Sequence, residues 1–281
     1  MTYCFYMDKK KQITIGHLYD FDHTLSPVFM QDGTIIPKLK MTANTFWSQK
    51  NAFGKKHNMD FTLSYMKFLA DMANKQGVDI SPDALRKMGK EIELFIGLDT
   101  WFDRVNEYGE SKGAVSEFYV ASTGLKHMIE GTIIGKHCKE IFACEYLYDE
   151  NGKPIWPLHV VDHIQKQGCV SRVSKGCLDL TDDAAMNQYM PDEDRPIPYP
   201  NIIGYEDGFS GIPMLAMLKR EGGYAVGVYS PYTKDTKTCE ELLAARRIDC
   251  FAPADYSKGS EIERKVFDRI DYIVEKANEK A

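Results

Sequence analysis

The sequence of 281 residues predicts an α/β fold: a central parallel sheet, helices on both of its faces, and a helical cap inserted after the first strand. Three observations lead there. Apolar runs of strand length at 13–19, 115–121, 201–205, 225–229 and 250–253 alternate with segments of helical periodicity, which is the pattern of βαβ units. Three of these runs end in acidic or hydroxyl side chains: Asp20 and Asp22, Ser122 and Thr123, Glu206 and Asp207. Ligands of open parallel sheets sit beyond the carboxyl ends of the strands. The segment between the first and second runs is long and helical throughout, so it reads as an insert.

In chain order, the first run holds Ile13, Ile15, Leu18 and Tyr19 and opens into Asp20, Asp22 and Thr24. The insert, 37–111, carries apolar residues at helical spacing, such as Phe61, Tyr65, Phe68 and Leu69, then Trp101, Phe102 and Val105. Asn58, Ser81 (followed by Pro82) and Asp99 are its expected helix starts, and Gly77 and Gly109 its expected stops. The aromatic stripe is expected to be packing. Trp101, Arg104 and Tyr108 are left open between packing, a solvated face and substrate contact. The second strand is expected to stop at Ala121, with Ser122, Thr123 and Gly124 leading into a helix from Leu125. A segment at 140–148 and the turn 149–152 read as the flank of a β-hairpin, and PDEDRPIPYP at 191–200 reads as a surface loop. Helices are expected over 212–220, 236–247 and 262–277. The expected division is a core of 1–36 and 112–281 with a cap of 37–111.

Composition narrows the class. With 41 acidic against 35 basic residues, the net charge is −6 and no basic stripe appears, so neither nucleic acid nor an anionic membrane is an expected partner. No apolar run reaches membrane-spanning length. The N-terminus places Lys9, Lys10 and Lys11 after a few apolar residues, the reverse of a secretory signal, and these lysines read as a solvated lead-in. Seven scattered cysteines without a C-x-x-C pair suit reduced thiols and a cytoplasmic location.

Asp20 and Asp22 at a strand mouth suit phosphoryl transfer, one carboxylate attacking phosphorus while the other moves protons; a solvated loop is the plain alternative. Crowded carboxylates call for a cation, and Mg²⁺ takes few carboxylates, waters and a phosphate oxygen. Asp207 would complete such a site with Asp20 and a main-chain carbonyl near Asp22. Ser122, Thr123 and Gly124 are candidates to receive phosphate oxygens, or simply a helix cap. A lysine reaching this cluster would screen its charge. Lys175 is one candidate, and spacing does not select it over Lys166 or Arg172.

Taken together and in order, DFDHTLS, YVASTG, VSKG and MPDEDRPIPYPNIIGYEDGFSGIPM resemble the four motifs of the haloacid dehalogenase-like hydrolases, particularly the phosphoserine phosphatase-like branch with a helical cap. The resemblance covers nearly the whole chain. It implies a Rossmann-like core, Asp20 as nucleophile, Asp22 as general acid/base and Ser122 on the phosphoryl group. It further implies Lys175 against nucleophile and phosphate, a structural Thr24, and Mg²⁺ on Asp20 and Asp207. The implied reaction is hydrolysis of a small phosphomonoester, a phosphorylated metabolite. Where the family commonly reads GDG-x-x-D, this chain reads Glu206-Asp207-Gly208-Phe209-Ser210-Gly211. Loss of an outer carboxylate typically costs about 10- to 100-fold in metal affinity or activity, so Glu206 either compensates at reduced rate or the chain is a silent binder of phosphorylated ligands. On the second reading, Gly211→Asp would restore turnover. Dehalogenation is the third and least favoured option, since it needs neither Asp22 nor Asp207.

Overall fold

In the computed structural model, which describes residues 12–279, the first run forms β1 (Ile13–Tyr19) at the centre of the sheet. It pairs in parallel with β2 (Ala114–Leu125) on one side and with β5 (Ile202–Glu206) on the other. Beyond β2 lies β3 (Cys138–Tyr148), parallel, followed by the antiparallel hairpin strand β4 (Pro154–His159). Beyond β5 lie β6 (Tyr224–Tyr229) and β7 (Cys250–Pro253), both parallel. The order is β4-β3-β2-β1-β5-β6-β7. The lysine lead-in at Lys9–Lys11 lies outside the described residues. No helix among the described residues is long and apolar enough to cross a membrane.

Strand periodicity sends alternate side chains to two separate cores. Ile15, Tyr19, Val120, Ile203 and Tyr205 join one, while Leu18, Tyr119, Ala121 and Ile202 join the other. The helices that follow the strands divide accordingly. Between β1 and β2 come α1 (Ile35–Lys38), α2 (Ala43–His57), α3 (Phe61–Gln76), α4 (Pro82–Gly89) and α5 (Leu98–Ser111). After β2 come α6 (Lys126–Gly131), α7 (Gln165–Lys175), α8 (Asp183–Asn187), α9 (Ile212–Arg220), α10 (Lys237–Ala244) and α11 (Glu261–Glu279). Helices α5 and α11 contribute Trp101, Phe102, Val105, Val266 and Ile270 to the first core; α7, α9 and α10 contribute Val170, Val173, Leu215, Leu218 and Leu242 to the second.

The insert is less uniform than its sequence suggests. Helix α5 lies against β2, and its buried Trp101 donates an indole hydrogen bond of 2.9 Å to the Tyr19 hydroxyl. Helix α4 packs on α6 so closely that a Cβ at Gly89 or Gly131 would run into the other helix's backbone carbonyl, Met128 O or Arg86 O. Among the helices of the insert, α2 and α3 line the cavity that also holds Asp20 and Asp22, through Trp47 and Asn51 and through Phe61, Thr62 and Tyr65. Trp101, Arg104 and Tyr108 therefore serve packing: Arg104 pairs with Glu263, and the Tyr108 hydroxyl donates to Asp271.

Several boundaries move. Ser81 caps α4 ahead of Pro82, and Gly77 in the left-handed region ends α3, as expected. Asn58, expected as a start, is instead the left-handed stop of α2, and Asp60 caps α3 through the amides of Thr62 and Leu63. Gly97 rather than Asp99 begins α5, because its positive φ carries the chain past Tyr256 where a Cβ would strike backbone. Helix α5 runs through Gly109, which packs against β2 at Ala114 and Ser116. The strand β2 continues past Ala121 to Leu125, so Ser122-Thr123-Gly124 is strand, with a register irregularity against β3.

Candidate active site

The centre of the site follows from β1 and β5 being neighbours. The Asp20 amide donates to Tyr205 O at 3.0 Å, which holds the end of β1 against β5 and brings Asp20 beside Glu206 and Asp207. Carboxylate oxygens of these three acids lie within 4.8 Å of one another. The loop after Asp20 turns back on itself through amides of Thr24, Leu25 and Ser26 that all donate to Phe21 O. His23 takes a φ of 62° there, a left-handed conformation that non-glycine residues seldom adopt. Tyr256 fixes the same turn from below, its hydroxyl donating to Thr24 O at 2.7 Å.

Lys166, in the first turn of α7 and buried, bridges the acids. Its Nζ donates to Asp20 Oδ1 at 2.7 Å and to Glu206 Oε1 at 2.6 Å. Burial opposes the ammonium, but Asp20 and Glu206 outweigh it and raise the lysine's pKa. Asp22 is also buried; burial and then the neighbouring Asp20 push its carboxyl well above the usual range, against the Met30 amide that donates to Oδ1 at 2.8 Å. Burial and Asp20 likewise push Asp207 up to about 6.

Lys175 is not brought to this cluster. Its Nζ donates to Met186 O and Gln188 O, both at 2.6 Å, in a separate surface depression. It closes the C-terminal end of α7 before the left-handed Gly176, nine residues and about 13 Å along the helix from Lys166. The three-acid cluster contains the expected Asp20 and Asp207 and adds Glu206; Asp22, expected to contribute through a main-chain carbonyl near it, has its side chain outside the cluster. Of the expected phosphate receptors, Thr123 lines the cavity. Ser122 is buried with its Oγ accepting from the Gly124 amide at 3.0 Å, and Gly124 faces Met30. Ser210, within the fourth motif, and His163, which no local pattern marks, also line the cavity.

The altered fourth motif has a geometric explanation. A Cβ at Gly211 would overlap Glu206 Cδ and Oε1. The Glu206 side chain thus fills the space that any side chain at 211 would need, and it delivers its carboxylate to Lys166 from there.

One cation for four carboxyls leaves the buried cluster crowded, and burial with Asp20 raises the pKa of Asp22, Glu206 and Asp207 in the absence of a further counter-charge. Glu206 Oε2 is buried without a partner. An all-oxygen set of this charge fits a hard divalent ion such as Mg²⁺, with Asp20 and Asp207 as its holders.

No family model matches the sequence. An uncharacterized protein of Borreliella burgdorferi is 24% identical over 289 residues, covering 94% of this chain and 99% of that protein. A HAD family hydrolase from Salmonella enterica serovar Typhi is similar in structure, with a TM-score of 0.51 and 17% identity over 85% of this chain and 67% of the other. A substrate-bound phosphoserine phosphatase gives a TM-score of 0.52 and 16% identity over 91% of this chain and 97% of that one. The fold is similar to that of solved HAD family hydrolases and phosphoserine phosphatases.

Proposed function

We propose that the chain is a Mg²⁺-dependent phosphatase that hydrolyses a small phosphomonoester through an aspartyl-phosphate on Asp20. The observation that carries this reading is the convergence of Asp20, Asp22, Lys166 and Asp207 on one end of a cavity of about 350 Å³, and the shared fold supports it. Asp20 attacks phosphorus while Asp22 gives a proton to the departing alcohol oxygen. Water then attacks the phosphoryl group, its proton returns to Asp22, and Asp20 and inorganic phosphate are released. Lys166 orients the nucleophile and faces the charge on the transferring group. Asp20 and Asp207 would hold Mg²⁺, which would supply neutralising charge for the phosphoryl group. Helices α2 and α3 act as the cap, and the substrate is a small phosphorylated metabolite met in the cytoplasm.

Glu206 favours turnover over silent binding, because it places a carboxylate on Lys166 in spite of Gly211. Purified protein with Mg²⁺ is expected to release phosphate from a panel of phosphomonoesters, and Asp20→Asn to abolish release. Equal inertness of both proteins across the panel would refute the phosphatase reading.

A further inference from the structure

Beside the carboxylates, the cavity is lined by aromatic rings. Phe29, Trp47 and Tyr65 form a continuous aromatic wall, with Phe29 and Trp47 centroids 5.5 Å apart and Trp47 and Tyr65 5.7 Å apart. Phe61 stands with His163 at 6.2 Å, also on the cavity. Two of these rings are exposed although they line a cavity, Phe29 at 43% and Phe61 at 56%. The indole of Trp47 is held in place by its hydrogen bond to Asp32 at 2.8 Å, and Tyr65 by Gln31 at 2.8 Å. Rigid aromatic faces of this kind bind flat groups at low entropic cost.

Gln31 adds direction. It is 2% exposed and lines the cavity, and its Oε1 has no hydrogen-bond partner. A buried acceptor left unpaired is unfavourable, and a ligand N–H or O–H would satisfy it. The carboxylates and lysine that line the cavity are Asp20, Asp22, Asp207 and Lys166, the groups of the reacting cluster. Lys50, the cation beside this wall, is 1% exposed with its Nζ 3.0 Å over the Phe61 ring. A zwitterionic amino acid would therefore meet aromatic rings and neutral amides with both of its charges, an unfavourable desolvation.

We infer that the leaving group this cavity takes is a neutral, flat alcohol that stacks on Trp47 and donates one hydrogen bond to Gln31, and that O-phosphoserine is a poor substrate. This rests on the phosphatase reading for its turnover arm only. The test compares three alkyl phosphates of similar leaving-group basicity: 4-carbamoylbenzyl phosphate, benzyl phosphate and O-phosphoserine, with acetyl phosphate as a substrate too small to reach the wall. The carbamoyl ester is expected to exceed phosphoserine in kcat/KM by at least about tenfold. Gln31→Leu is expected to erase its advantage over benzyl phosphate. Trp47→Ala is expected to raise KM for both benzyl esters about tenfold and to leave acetyl phosphate within about twofold. Phosphoserine turned over as well as the benzyl esters, or acetyl phosphate losing equally in Trp47→Ala, overturns the inference and leaves the phosphatase reading standing. Binding supplies the arm independent of turnover: benzylphosphonate is expected to quench tryptophan fluorescence in the parent protein and not in Trp47→Phe. No quench in either overturns the inference, whether or not any ester is hydrolysed.

Discussion

Exchanging the acid between positions 206 and 211 tests how the fourth motif works. Gly211→Asp alone forces a side chain into the volume of the Glu206 carboxylate. Overpacking of this kind costs about 1–3 kcal/mol, and another unpaired carboxylate beside Asp20 and Asp207 adds about 1–3 kcal/mol. Glu206→Gly alone removes the 2.6 Å bond from Lys166, a buried contact to a charged group worth about 1.5–3 kcal/mol. Independent effects would sum to roughly 3.5–9 kcal/mol in the double variant. In Glu206→Gly/Gly211→Asp, however, the clash is gone and the new aspartate enters the vacated space, so the double variant is expected to be at least about 2 kcal/mol more stable than that sum. Urea unfolding of the four proteins measures the coupling. Mg²⁺-dependent hydrolysis is expected to fall at least about tenfold in each single variant and to recover in the double. Additivity within about 0.5 kcal/mol, or a gain of activity in Gly211→Asp alone, would refute the idea that Glu206 occupies the place of the missing acid.

Other outcomes follow from the same coordinates. Lys166→Met strands two buried carboxylates and is expected to destabilise by about 3–5 kcal/mol and abolish hydrolysis. Lys175→Met is expected to leave kcat unchanged, and a comparable loss of kcat there would restore Lys175 to the site. Burial lowers the Lys50 pKa from 10.5 to about 8. The unfolded chain then holds that proton between pH 8 and 10.5 while the folded chain does not, so this lysine's penalty is full below pH 8 and fades as pH rises. Lys50→Met is expected to stabilise by about 1–3 kcal/mol at pH 7, the margin over the parent shrinking toward pH 10; reading the difference cancels the thiols and phenols that titrate in the same range. Gly131→Ala, meeting Arg86 O, is expected to cost about 1–3 kcal/mol. Gly168→Ala, with nothing within 4 Å inside α7, is expected to gain about 0.5–1 kcal/mol. Thermal melts check both signs.

The strands were legible because burial on two faces leaves an unmistakable trace. The sequence places the last strand at 250–253 and a helix at 212–220, and both match β7 and α9. Helix ends were legible where the chemistry is local, as at Ser81-Pro82 and Gly77. They were misread where tertiary contact chose the residue. Gly109 looks like a stop, yet α5 continues through it to Ser111 with Gly109 packed against β2 at Ala114 and Ser116. Asn58 looks like a cap, yet it adopts φ 46° and ends a helix. Periodicity also cannot separate the helices that rise over the site from the one that returns along the sheet, because both bury an apolar stripe. Helix α5 was consequently grouped with α2 and α3.

The lysine shows where the sequence stops informing. Lys166 and Lys175 sit on one helix, and both belong to polar contexts in the sequence. What separates them is which end of α7 faces the end of β1, a fact of topology with no local signature. VSKG drew the choice to Lys175, but the same four letters describe an ordinary helix C-terminus, with Lys175 on carbonyls beyond it and Gly176 at φ 65°. Electrostatics decides the matter once the fold is in place. Asp20 and Glu206 are both buried, and two carboxylates in such surroundings persist as a pair only around a cation held within hydrogen-bond reach. Lys166 meets that condition at 2.7 and 2.6 Å. Burial and Asp20 raise the carboxyls of Asp22 and Asp207 instead, which keeps a proton on the proposed acid Asp22 and would be relieved at Asp207 by the divalent ion proposed above.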